Sequence, residues 1–272
     1  MTSDHRAAQA EPAEVHLAMM DAVSWRRWAT QPGSTVLIPV GALEQHGPHL
    51  PLGTDALLAD RIAAGVAEGT AMRVAPALTY GYKSQQRSGG GDHLPGTTSL
   101  DATSLIAMTR DLARSFLQQG VAHVVLVNGH YENYQFLYEG VDLALRDLGA
   151  GRREDQAALL LSYWDYVSAT TLETVYPDGF PGWDVEHGGV LETSLMLHID
   201  PSKVRLDLAP DHPAAQLPRF DRLPVVEART PASGCLSSPS GSDAAKGRLL
   251  FDQVVEALRT DLVEELALPD SR

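Results

Sequence analysis

Five residues in two short stretches have the types and spacing to hold metal. Glu44 and His46 flank Gln45, Asp55 follows nine residues after His46, and His130 and Glu132 flank Tyr131. In extended backbone, residues two apart point the same way, so each pair can aim one imidazole and one carboxylate at a common point. Two imidazoles and three carboxylates suit borderline-hard divalent ions such as zinc or manganese. With one carboxylate shared, they are enough for two ions about 3.5–4 Å apart. Cys235 is the single cysteine, so neither an internal disulfide nor a thiolate cage is open to the chain. The bland alternative is a set of loop residues making caps and surface ion pairs, and Asp55 in particular could be a favourable first-turn acid of a helix.

Other residues could act beside such a site. His187, in the stretch Trp183–Gly189 (WDVEHGG), opens an expected helix, where N–H groups favour a developing anion and a neutral imidazole can relay protons; a structural histidine is the competing reading. Trp164 follows an expected strand and could stack on a flat ligand or pack in the core. The stretch Ser84–His93 (SQQRSGGGDH) could bring backbone amides close to a substrate or be a plain turn. A metal-free serine hydrolase is disfavoured, because no GxSxG occurs and Gly241-Ser242 falls in an irregular segment.

Position is what raises the metal reading above the chance spacing of acids and histidines. Val36–Val40 (VLIPV), His123–Val127 (HVVLV) and Ala157–Ser162 (AALLLS) are apolar runs of the kind buried in a parallel sheet, with a weaker strand expected at Met72–Ala77. Helical spacing fills Asp55–Glu68, with Thr54 as its expected N-cap, then Asp101–Gln119, Glu132–Leu148, and Gly188–His198. A closing helix over Asp243–Leu266 carries Leu249, Leu250, Val254, Leu258 and Leu262 on one face, after a Pro-rich irregular run from Asp200 to Pro239. The βαβαβ rhythm predicts an α/β fold, one domain over residues 16–272 preceded by a flexible arm over 1–15. Its mainly parallel sheet has helices on both faces, and ligands gather beyond the carboxyl ends of the strands. Both candidate metal stretches directly follow strands.

Composition narrows the function. The 272 residues carry 21 Lys+Arg against 35 Asp+Glu, a net charge of −14, which repels nucleic acid and anionic membrane surfaces. No apolar run spans a bilayer and the first residues lack a signal-peptide core, so a soluble, cytoplasmic protein is expected.

The stretches PVGALEQHGPHLPLGTD, YGYKSQQRSGGGDHLPGTTSLD, VNGHYENYQF, SYWDYV and GWDVEHGGVLETSLML together resemble the creatininase family of metal-dependent amidohydrolases. The likeness runs from about Pro39 to Leu197 and continues more weakly through RTPASGCLSS to the last helix; His49–Thr54 reads as the general family form. It implies a three-layer α/β/α sandwich, a homohexamer, and two divalent ions per subunit, zinc, manganese or both. One ion would be held by Glu44 and His130 and the other by His46 and Glu132, with Asp55 bridging. The implied reaction is reversible hydrolysis of the cyclic amide of creatinine to creatine. Ser88, Tyr131, Trp164, Trp183 and Asp184 would then line the substrate pocket, with His187 and Glu132 moving protons. The alternatives are a related amidohydrolase acting on another small cyclic amide, a formamide or a small peptide, and a metal-loaded protein without turnover.

Overall fold

Strand β1 (Thr35–Val40) and strand β3 (His123–Asn128) are buried at every position, which is why their sequences are continuous apolar runs and not alternating ones. They form the middle of a four-stranded, wholly parallel sheet in the order β2-β1-β3-β4, with β2 at Arg73–Val74 and β4 at Ala157–Ser162. The computed structural model describes residues 14–268. Residues 1–13 of the expected arm lie outside these, while the Val15 carbonyl accepts a bond from Val74 N–H at 2.7 Å beside β2.

Successive strand residues feed two separate cores, as strand geometry requires. Leu37, Val125, Val127 and Leu161 pack under helices α2 (Thr54–Ala67), α6 (Val190–Ile199) and α7 (Ala244–Glu265). Val36, Ile38, Val124 and Leu126 pack under α1 (Ala22–Ala29), α3 (Ala102–Gln118) and α4 (Tyr134–Leu148) on the opposite face. The result is the expected three-layer α/β/α sandwich. A short α5 (Ala169–Val175) follows β4.

Three local expectations are corrected. Thr54 is the first residue of α2, not its cap; Gly53 occupies that position and Thr54 Oγ1 donates to the Pro51 carbonyl at 2.7 Å. The second strand is only two residues long, because the register slips after it: Val74 pairs with Leu37 but Leu78 with Val40, one extra residue on the β2 side. Leu249 is 38% exposed while Leu250 is fully buried, since neighbours on a helix point about 100° apart.

The register matters for the site. Val40 pairs with Asn128, and Asn128 with Ser162, so the three strands end level with one another. The segments that follow them start from one line above the sheet.

Candidate active site

Each strand end delivers a piece of the site. After β1 the chain turns at Gly41 and runs Glu44-Gln45-His46. Gly41 is needed there, because a Cβ would collide with the backbone of Asp55 and Ala56 in the first turn of α2. After β3 come His130 and a single turn of 3₁₀-helix, Tyr131–Asn133, which precedes α4. Asn133 ties these loops together: its Nδ2 donates to the Gly41 carbonyl at 3.0 Å and its Oδ1 accepts from Tyr82 N–H at 2.8 Å.

Glu44, His46, Asp55 and His130 are each no more than 3% exposed. Two clusters of potential ligand atoms form around Asp55, one with Glu44 and His130 and the other with His46 and Glu192. Asp55 Oδ1 lies 2.8 Å from His46 Nε2, and Asp55 Oδ2 lies 3.1 Å from His130 Nδ1. His130 Nδ1 is also 2.9 Å from Glu44 Oε2, and His46 Nε2 is 3.6 Å from Glu192 Oε1. One carboxylate thus reaches into both clusters.

The far nitrogens of the two imidazoles are committed to backbone carbonyls, His46 Nδ1 to Glu44 at 3.1 Å and His130 Nε2 to Tyr82 at 3.0 Å. A carbonyl only accepts, so those nitrogens carry the hydrogens, and His46 Nε2 and His130 Nδ1 are left to ligate. Glu192 is oriented in the same manner, its Oε2 accepting from Gly188 N–H at 2.7 Å while Oε1 faces His46.

Electrostatics favour cations here. The cavity is lined by Glu44, Asp55, Glu132, Glu186 and Glu192 with three histidines and no Lys or Arg. Glu44 Oε1 and Asp55 Oδ2 are buried without a hydrogen bond. Without ions, burial works against protonated His46 and His130, but the surrounding carboxylates outweigh it and hold both pKa values well above the imidazole's ordinary value. Burial would raise Asp55; His46 and His130 overcome it and lower its pKa. Unpaired buried oxygens, a shared carboxylate and tautomers set for ligation together fit two divalent ions.

The rest of the expected site assembles unevenly. Ser88, Tyr131, Trp164, Trp183 and His187 line the same cavity, whereas Asp184 is exposed beside it. Trp164 and Tyr131 stack with centroids 6.1 Å apart, and Trp183 packs on Phe180. Glu132 also lines the cavity, but it belongs to neither cluster. Its Oε1 accepts from Ser88 Oγ at 2.6 Å and from Gln85 N–H at 2.8 Å, and its Oε2 lies 3.3 Å from the other nitrogen of His130. Burial and the charge of Glu44 raise its pKa. The Gly-rich loop therefore positions Glu132, and Gly89 is pressed so close to Glu44 Oε1 that a Cβ would clash.

Glu192 is the residue the sequence reading missed. Its signal was a glutamate in the first turn of a helix opened by Gly188-Gly189, five residues past His187.

Comparison with known proteins identifies the family. The creatininase family model, creatinine amidohydrolase, matches residues 21–262. The chain is 45% identical over 247 residues to the creatinine amidohydrolase of Pseudomonas putida, covering 89% of this chain and 95% of that protein. It is 34% identical over 233 residues to the mycofactocin precursor peptide peptidase of Mycolicibacterium smegmatis, covering 81% of each. Among solved structures, a manganese form of creatininase superposes with a TM-score of 0.91 at 44% identity, covering 93% of this chain and 99% of that one. Mutant creatininases, one of Zn-Zn type and one complexed with creatine, superpose at 0.91 and 0.89, both at 44% identity.

Proposed function

The chain belongs to the creatininase family, and from that premise we propose that it is a creatinine amidohydrolase, opening and closing the cyclic amide of creatinine with two divalent ions, zinc or manganese, per subunit. The observation that carries this reading is the pair of buried ligand clusters sharing Asp55 in a cleft flanked by Trp164 and Trp183. Glu44, Asp55 and His130 would hold one ion and His46, Asp55 and Glu192 the other. Ions held there supply a water of lowered pKa and polarisation of a carbonyl oxygen.

The chain's own groups do the rest. Glu132, held by Ser88 and Gln85 with a raised pKa, is placed to accept a proton as ring opening begins. His187 donates a proton to the leaving ring nitrogen. Its Nε2 is bonded to the Gln45 carbonyl at 2.7 Å and lies 3.8 Å from Glu44 Oε1, which sets the ring beside the ligand clusters. Trp164, Trp183 and Tyr131 supply flat faces for a planar amidine-bearing ring and keep water out. Asp184, exposed next to Trp183, adds negative charge at the rim.

A second reading, a family amidohydrolase that cleaves a peptide or another small amide, is supported by the 34% identity to a peptidase. A substrate panel separates the two: protein reloaded with zinc or manganese is offered creatinine, formamides and short peptides. Creatinine ring opening supports the first, and cleavage of the others with creatinine untouched supports the second.

The resemblance also implies a homohexamer, which light scattering should return as six times 29.3 kDa. A cytoplasmic site of action is consistent with a single, buried cysteine and with no described helix long and apolar enough to cross a membrane; cell fractionation tests it.

A further inference from the structure

His187 reaches the cavity from the turn ahead of α6, and its orientation depends on a segment distant in sequence. The carbonyl that takes its Nε2 hydrogen belongs to Gln45, the residue between Glu44 and His46 that has no part in the ligand clusters. Gln45 is only 8% exposed. Its side-chain Nε2 donates to the Ser233 carbonyl at 2.5 Å and its backbone N–H to Thr97 Oγ1 at 3.1 Å. The other end of the amide, Oε1, is buried without a hydrogen bond. Leaving a polar atom unpaired is costly, so the amide is held there for what its donor end does.

The hold is close-fitting. Gly234 has φ +83, and a Cβ on it would collide with both heteroatoms of the Gln45 amide, so the backbone can lie this near only as glycine. The same segment grips His187 from the other side, Leu236 N–H donating to the His187 carbonyl at 2.9 Å. Residues 233–236 therefore bond to Gln45 through one carbonyl and to His187 through one amide. This is the irregular stretch within RTPASGCLSS, for which the sequence offered no role.

We infer that Gln45 is a positioning residue for His187 and that Ser233–Leu236 is a clasp that holds the two together, fixing the His187 ring with its Nε2–H on the Gln45 carbonyl. The catalytic consequence rests on the reading of His187 as the proton donor; the placement of that hydrogen does not. Opening the clasp frees the ring to rotate or change tautomer, and misplacing a reacting group by about 1 Å costs on the order of 10²-fold in rate.

The test uses the full chain labelled with ¹⁵N-histidine, metal-stripped and metal-reloaded, by solid-state NMR, with the His187 resonances identified by their loss in His187→Asn. Two variants open the clasp from opposite sides: Gln45→Leu removes the donor to Ser233, and Gly234→Ala pushes the backbone off the amide. The native protein should show a hydrogen on His187 Nε2. Both variants should show a mixture of tautomers, with metal content unchanged and kcat lowered by roughly 10²-fold while KM moves little. If one variant fails to fold, the other carries the comparison. A native Nδ1–H tautomer overturns the inference, as does an unchanged tautomer in the variants. So does loss of metal with the tautomer intact, which would mean that Gln45 acts through Glu44 and His46. A changed tautomer with native kcat leaves the clasp standing and removes His187 from proton transfer.

Discussion

Asp55 is the residue on which the two ligand clusters depend, each of its oxygens facing a different histidine. Asp55→Ala should therefore release both ions, while Glu192→Gln should leave about one per subunit and Glu132→Gln should keep two; metal counts by mass spectrometry check all three. Two ions retained in Glu192→Gln would return the second cluster to another ligand. His187→Ala should keep both ions and lose turnover by roughly 10²–10⁴-fold, the range for general acid–base transfer, and near-native kcat would contradict its assignment. Glu186 makes a pH prediction. It accepts from Leu191 N–H at 2.8 Å at the start of α6, and burial with the nearby charge of Glu192 pushes its pKa up from 4.5 to about 7. Between those values the unfolded chain has lost this proton and the folded one keeps it, so stability falls as pH rises through that window. In the metal-free protein Glu186→Gln should remove that decline, on the order of 1–3 kcal/mol, in urea denaturation from pH 4 to 8. Parallel curves for variant and native protein would refute it.

At the scale of elements, the three strands that build the site were legible as uninterrupted apolar runs, and their common register explains why residues 44–46, 130–132 and 164 converge. What was not legible was α6 returning across the sheet to bring Glu192 to His46, because a first-turn glutamate reads locally as a helix-start acid. The short helices α1 and α5 passed unread despite their caps, Asp21 and Ser168, since seven or eight residues give little periodicity to detect. The meeting of Gly41 with the start of α2 is a packing fact that no local pattern carries. Gly41→Ala should push the first turn of α2, and Asp55 with it, away from β1. Overpacking of this kind costs about 1–3 kcal/mol or more. Thermal denaturation should show the loss, and calorimetric titration should show weaker metal binding in the folded variant. Native stability with native metal affinity would mean that the turn yields without moving Asp55.

For the whole molecule, the sandwich buries an acidic cavity at one end of its sheet, inside a chain whose net charge is already −14. Five carboxylates gathered without a single Lys or Arg in the lining make sense as a seat for cations. Two divalent ions neutralise most of that charge and leave a cleft suited to a neutral or amidine-bearing ring. The resemblance in the sequence foresaw this architecture and chemistry; the identity of the second cluster's carboxylate and the clasp at Gln45 needed the fold. The most direct measurement is a titration of zinc or manganese into the metal-stripped protein, with creatinine and creatine followed by NMR from both directions. Ring opening and closing should appear with added metal, reach full rate at two equivalents per subunit, and converge on one creatinine-to-creatine ratio from either side. Two ions bound per subunit with neither compound converted would contradict the proposed activity.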